Sequence, residues 1–340
     1  MMKKVAVEDA VGHILAYDIT EVNLAKGLKH RAYKRGHVIA EEEVEHLKSL
    51  GRRSIFIEDG NSTGVHEDDA ARIAAPLIAG KNIKFDAETS EGKVSFYSEI
   101  EGLFKVDEER LFAINNIGVP SLPTIHNNMS VEAGKQVAAF RIIPLVCEQS
   151  VMDRVKDILD TPLIEVKPFI IKTAAMLITG SEVYEGRIKD GFRPKLEPKL
   201  NRMGVEVIDY RIVPDEPEMV ISAVKEMAEK ADMLITTGGT SVDPDDITAQ
   251  ALLDAGVTYE MKGSQIQPGN NMTMGYYGDK PVCAIPAAAL HFSATSFDIL
   301  LPRILAGEKI GKKDMALLAH GGLCHFCKKC VYPICPFGRG

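Results

Sequence analysis

The stretch ADMLITTGGTSVDPDDITAQALLDAG, residues 231–256, runs from an apolar segment through glycines, hydroxyls and three aspartates into a helix-like segment. DMLITTGG reads as a buried strand closed by glycine, and DDITAQALLDAG as a helix ending at Gly256. Gly238 and Gly239 allow a tight turn and the close approach of a ligand, with turn amides free to face an anion. Thr237, Thr240 and Ser241 add hydroxyl donors, so the turn suits a phosphate. A carboxylate beside a phosphate needs a cation between them, which makes Asp246 a candidate Mg²⁺ ligand. The same residues also fit an ordinary glycine turn before an acid-capped helix, with Asp245 or Asp246 capping.

The pattern repeats on both sides of this stretch. AAMLITG reads as a strand, RPKLEPKLNRMG as a helix, VEVIDYRIV as a strand and EPEMVISAVKEMAEKA as a helix. Such alternation predicts an α/β fold, a mostly parallel sheet flanked by helices, whose ligands bind beyond the carboxyl ends of the strands. Two glycine-bearing strand ends fall on that rim. At the second, Thr179, Gly180, Ser181 and Glu182 are followed by Asp190, offering carboxylates for a shared metal and phosphate site or, equally, a solvated acidic loop. Two further segments reach toward the same rim: the loop with Pro268, Gly269, Asn270 and Asn271, and IPAAALHF, where Pro286 and Ala287 open a helix made of small residues.

Upstream, residues 1–85 read as an N-terminal α+β segment. Its helices are Glu41–Leu50, closed by Gly51, and EDDAARIAAPLI, interrupted by Pro76. Residues 86–172 read as a small β-rich module containing one helix, SVMDRVKDILD. The binding domain is then 173–310, and 311–340 a cysteine-rich tail.

The 340 residues carry a formal charge of −8, with 45% hydrophobic and 26% charged residues, which argues against nucleic acid held by bulk electrostatics. MMKKVAVEDA lacks the apolar stretch of a signal peptide, and the longest uncharged run, from Pro281 to Phe297, is broken by Pro286 and His291. The expectation is a cytoplasmic protein without a membrane partner.

Four of the six cysteines crowd the C-terminus: Cys324, Cys327 and Cys330 at C-x2-C-x2-C, then Cys335 before Pro336. Four thiolates so spaced point to zinc or an iron–sulfur cluster, close to the bacterial ferredoxin run but with one extra residue before the last cysteine. The competing reading is a redox-prone tail of free thiols. Cys147 and Cys283 lie in apolar runs and are expected in the core.

Taken in order, ITGSEVYEGRIKD, KLEPKLNRMG, VIDYRIVPDEPEMV, DMLITTGGTSVDPDDIT, the PGN loop and IPAAALHF resemble the molybdopterin-binding domain of the MoeA/gephyrin-type molybdotransferases, the MogA-type adenylyltransferases and the CinA family. VEDAVGHILAYDI resembles the MoeA opening. The resemblance implies binding of molybdopterin or its adenylylated form and of molybdate, with Asp246 and Glu182 as the catalytic, Mg²⁺-positioning pair. The implied chemistry is Mg²⁺-dependent molybdate insertion with release of AMP. It further implies a homodimer, and a molybdoenzyme as partner. Two positions depart from the family: Ser181 stands where its T-G-D-E segment has the first acid, and Ile285–Ala289 reads I-P-A-A-A for L-P-G-N-P. These departures motivate two alternatives, a non-catalytic cofactor carrier or sensor and a CinA-like nucleotide pyrophosphatase.

Overall fold

The computed structural model describes residues 2–23, 27–58, 63–238 and 247–339. Its contacts divide the chain into two units, the first made mainly of residues up to Val166 and the second of Lys167 onward.

The second unit is built on a six-stranded sheet. Its strands are β1 (Thr173–Thr179), β2 (Glu206–Val213), β3 (Met233–Thr237), β4 (Thr258–Lys262), β5 (Thr273–Tyr277) and β6 (Lys280–Ile285). They lie in the order β2-β1-β3-β6-β5-β4. The first four of these neighbours are parallel, as the alternating pattern predicts. β6 then turns back on β5 and β5 on β4, both antiparallel. With antiparallel pairing prevailing in the first unit, the expectation of a mostly parallel sheet holds only for that four-strand block. The reason is the short Gly278–Asp279 connection between Tyr277 and Lys280, which has room only for a hairpin, whereas parallel neighbours need a long crossover.

Each face of this sheet has its own core. Met176, Met233, Ile235, Met274 and Ile285 pack with Leu196 and Leu200 of helix α1 (Arg193–Arg202) and with Phe297, Leu300 and Ile304 of α2 (Ser296–Leu305). On the opposite face Leu177, Leu234 and Val282 meet Val220, Val224 and Met227 of the helix Pro217–Lys230 and Leu252 of the helix Thr248–Asp254. Strand residues alternate between the faces, which fixes where every side chain at the strand ends points.

The C-terminal segment folds back onto this unit. Gln267 and Leu323 form a parallel bridge, the Cys324 amide donates to the Gln267 carbonyl at 2.8 Å, and Phe337 is buried in the first core.

In the first unit Lys3–Ala6 pairs with Ser54–Ile57, and Ile19–Asn23 with Leu28–Tyr33. Glu41–Leu50 divides into a short 3-10 turn and the helix Val44–Ser49, with Gly51 at φ +79° after it. The helix Glu67–Ile78 runs through Pro76. The 86–172 region contains the expected helix, here Gln149–Ile158, and a second that the β-rich reading omitted, Glu108–Asn115. Asp107 starts that helix by accepting the Arg110 amide at 3.0 Å, a local capping signal that outweighs the flanking strand texture.

Candidate functional site

Three parallel strands bring their carboxyl ends together. Ile178 lies beside Thr237, and Thr237 beside Ile285. The residues that follow, Gly180, Gly238 and Pro286, therefore share one rim. Gly238 has φ +85°, and a Cβ there would come within 2.1 Å of the Thr179 carbonyl oxygen, so no other residue fits without moving backbone.

A cavity of about 500 Å³ opens at this rim. Gly238, Gln267–Asn271 and Ile285–Ala288 form its floor and sides, and Phe192, Phe292 and Phe326 supply aromatic walls. Its size is that of a small-molecule site, with aromatic surface for a planar ring and amide side chains for polar contacts. The Pro268–Gly269 part of the wall is held on the start of α2. Ser296 donates its hydroxyl to the Gly269 carbonyl at 2.8 Å and its amide to the Pro268 carbonyl at 3.1 Å.

Strand alternation places Thr237 on the face of Met233 and Ile235, the face on which the cavity opens. Its hydroxyl is fully buried and has no hydrogen-bond partner among the described residues. A buried donor left in that state is costly unless a ligand, a water or a neighbouring turn meets it. Thr179 points to the opposite face. Its hydroxyl donates to the Thr237 carbonyl at 3.1 Å and meets the Thr248 hydroxyl at 2.9 Å, tying two strand ends to the following helix.

Of the residues expected at the site, Gly238, Pro268, Gly269, Pro286 and Ala287 line the cavity, and Thr237 closes the strand behind it. Gly239, Thr240, Ser241 and Asp246 lie outside the described residues. The Ser181 amide donates to Asp215 Oδ2 at 2.8 Å and the Asp215 amide to Ser181 Oγ at 3.2 Å, a reciprocal clasp between two strand ends. Asp190 accepts the amides of Phe192 and Arg193 at the start of α1, and the Tyr210 hydroxyl at 3.0 Å. Both residues, with Thr179, Gly180 and the exposed Glu182, stand apart from the cavity lining.

Residue-by-residue reading passed over Asp215, Thr248 and the three phenylalanines. Asp215 had a local signal, an acid after Val213-Pro214 at a strand end; the phenylalanines had none, because tertiary folding alone brings positions 192, 292 and 326 together.

Cys324, Cys327, Cys330 and Cys335 all border a second cavity, of about 610 Å³. None is in a disulfide. Among the described residues no three His, Cys, Asp or Glu side chains converge closely enough to hold one metal ion.

Residues 175–306, well under half of the chain, match the family described as "Probable molybdopterin binding domain", and residues 4–59 match a domain of unknown function. A CinA-like protein of Fervidobacterium nodosum is 29% identical over 153 residues, covering 45% of this chain and 35% of that protein. A molybdopterin molybdenumtransferase of Haemophilus influenzae is 30% identical over 158 residues, covering 44% and 39%. The chain thus spans about a third of the length of these curated relatives. Among solved structures, the molybdopterin biosynthesis enzyme MoaB of Thermus thermophilus covers 41% of this chain and 98% of its own at 20% identity and a TM-score of 0.35. By the family match, the segment 175–306 resembles molybdopterin-binding domains at large. Its similarity to CinA-like proteins matches its similarity to the molybdotransferase, so the MoeA branch expected from the opening motif is not singled out. No helix among the described residues is long and apolar enough to cross a membrane.

Proposed function

We propose that the chain binds a phosphorylated pterin of the molybdopterin type at the carboxyl rim of β1, β3 and β6, and serves molybdenum cofactor biosynthesis as a binding protein. The observation carrying this reading is the cavity itself, an aromatic-walled site on a domain matching a molybdopterin-binding family, backed by a buried Thr237 hydroxyl that has no partner among the described residues. The phenyl rings would stack on the pterin and the Asn270 and Asn271 amides would read its polar edge. The glycine turn after β3 would admit the phosphate close to the backbone.

Binding without turnover is the first reading because the matched family description names binding alone. Insertion would need Glu182 and Asp246 to hold Mg²⁺, with adenylylated molybdopterin as substrate and AMP as product. The 30% identity with the Haemophilus molybdenumtransferase keeps that as the second reading.

Anaerobic titration with molybdopterin tests the proposal. Saturable binding is expected, and Ala287→Trp, which fills the cavity from an exposed position, is expected to weaken it at least about tenfold by removing roughly 1.4 kcal/mol or more. Absence of binding would overturn it. Incubation of adenylylated molybdopterin with molybdate and Mg²⁺ separates the readings, since AMP release abolished by Asp246→Asn would establish the insertase.

A further inference from the structure

The four C-terminal cysteines have no place in the pterin reading, yet the fold collects them. The segment carrying them is anchored at both ends: Cys324 to Gln267 through its amide, and Gly338 to Gly321 through a 2.9 Å hydrogen bond, with Phe337 buried between core side chains. The chain between these anchors loops out, and all four cysteines border one cavity. In the first C-x2-C turn the Phe326 amide donates to Cys324 Sγ at 3.4 Å, and Phe326 has φ +52°, a left-handed conformation that lets the turn present its amide to sulfur.

The occupant follows from size and spacing. A single zinc ion, about 2.3 Å from each sulfur, would require all four sulfurs within about 4 Å of one another. The four cysteines border one common space, wide enough for a multi-iron cluster. At about 610 Å³ that space far exceeds a single water-sized site of roughly 30 Å³. The walls are apolar in a region otherwise open to solvent: Phe326 and Val331 are each 52% exposed and Ile334 is 84% exposed. Lys328 lines the same cavity, a cation beside ligands that become anionic when they bind metal.

We propose that Cys324, Cys327, Cys330 and Cys335 bind a [4Fe–4S] cluster, each thiol giving up its proton and joining one iron through sulfur. Three ligands come from one tight loop and the fourth from beyond Tyr332, whose hydroxyl is fixed on the Asp298 carbonyl at 2.8 Å. The cluster shares a wall with the pterin cavity. Phe292 and Phe326 border both spaces, and their rings meet edge to face with centroids 5.8 Å apart. Cluster occupancy would therefore set the position of that wall.

The test is anaerobic reconstitution of the full chain with ferric iron, sulfide and dithiothreitol, in parallel with Zn²⁺ alone. About four iron and about four sulfide per chain are expected, with broad visible absorption that bleaches on reduction and an EPR signal from the reduced state. Thiol alkylation gives an independent readout. Cys147 and Cys283 are buried, so the four tail thiols react in the metal-free chain and are protected in the loaded one. Cys327→Ser and Cys330→Ser alter exposed positions, so a far-UV dichroism spectrum unchanged from the parent alongside lost iron supports the assignment. Stoichiometric zinc without iron and sulfide uptake, or no metal uptake at all, overturns it. No pterin enters the measurement, so its failure leaves the reading of the first cavity untouched.

Discussion

Gly238 shows how one residue commits a strand end to a shape that only glycine fits. The position after Thr237 has a positive φ and lies against the Thr179 carbonyl, so Gly238→Ala meets both backbone strain and an immovable atom. A loss of about 2–4 kcal/mol is expected in urea unfolding. Gly204→Ala provides the contrast: φ there is also positive, +72°, but nothing lies within 4 Å, and about 1 kcal/mol is expected. Equal losses at the two positions would remove the close-approach argument. At this scale the sequence was legible where chemistry is local. Gly238 announced a position of positive φ, whereas Thr237 gave no sign that its hydroxyl would be buried without a partner among the described residues, because that depends on which strands flank it.

At the scale of elements, α1 depends on an acid that sequence reading assigned to a ligand. Asp190 satisfies two amides at the helix start and accepts the Tyr210 hydroxyl, while the Arg193 guanidinium lies over the tyrosine ring at 4.5 Å. Burial, then the hydrogen bond and charge of Asp190, push the Tyr210 hydroxyl up to about 12. The folded state thus holds this proton more tightly than the unfolded chain does. The resulting stability is present below the ordinary tyrosine value and is lost as pH rises from there toward 12. Asp190→Asn is expected to lower the tyrosine midpoint in ultraviolet titration and to cost about 1–2 kcal/mol. An unmoved midpoint would mean that burial alone sets it. The strands and helices around this residue were readable because apolar runs and capping glycines lie close in sequence. The antiparallel edge was not, since a strand's direction depends on a partner rather than on its own composition.

At the scale of the second unit, the C-terminal segment is held by charge as well as by Phe337. Arg303 near the end of α2 donates to Glu308 at 2.7 Å and to Asp314 at 2.6 Å, and Lys167 reaches Glu308 at 3.0 Å. Burial raises the Asp314 carboxyl, but the Gly311 amide and the Arg303 guanidinium outweigh it and hold the group below the usual carboxylate range. Its contribution is therefore present above that range and lost as pH falls through the folded value. Arg303→Ala, which strips the guanidinium from both carboxylates, is expected to cost about 3–5 kcal/mol and to shift acid unfolding to higher pH. A change within experimental error would show that Lys167 suffices. Spacing groups the cysteines in sequence; it did not reveal that the chain returns to place them beside the first cavity, which rests on Phe337 and Gln267, far apart in sequence. The shared Phe292–Phe326 wall has an optical consequence. The protein contains no tryptophan, so an indole placed at position 326 would be its sole long-wavelength emitter, reporting in one spectrum on a heterocycle arriving from one side and on an iron-based quencher from the other.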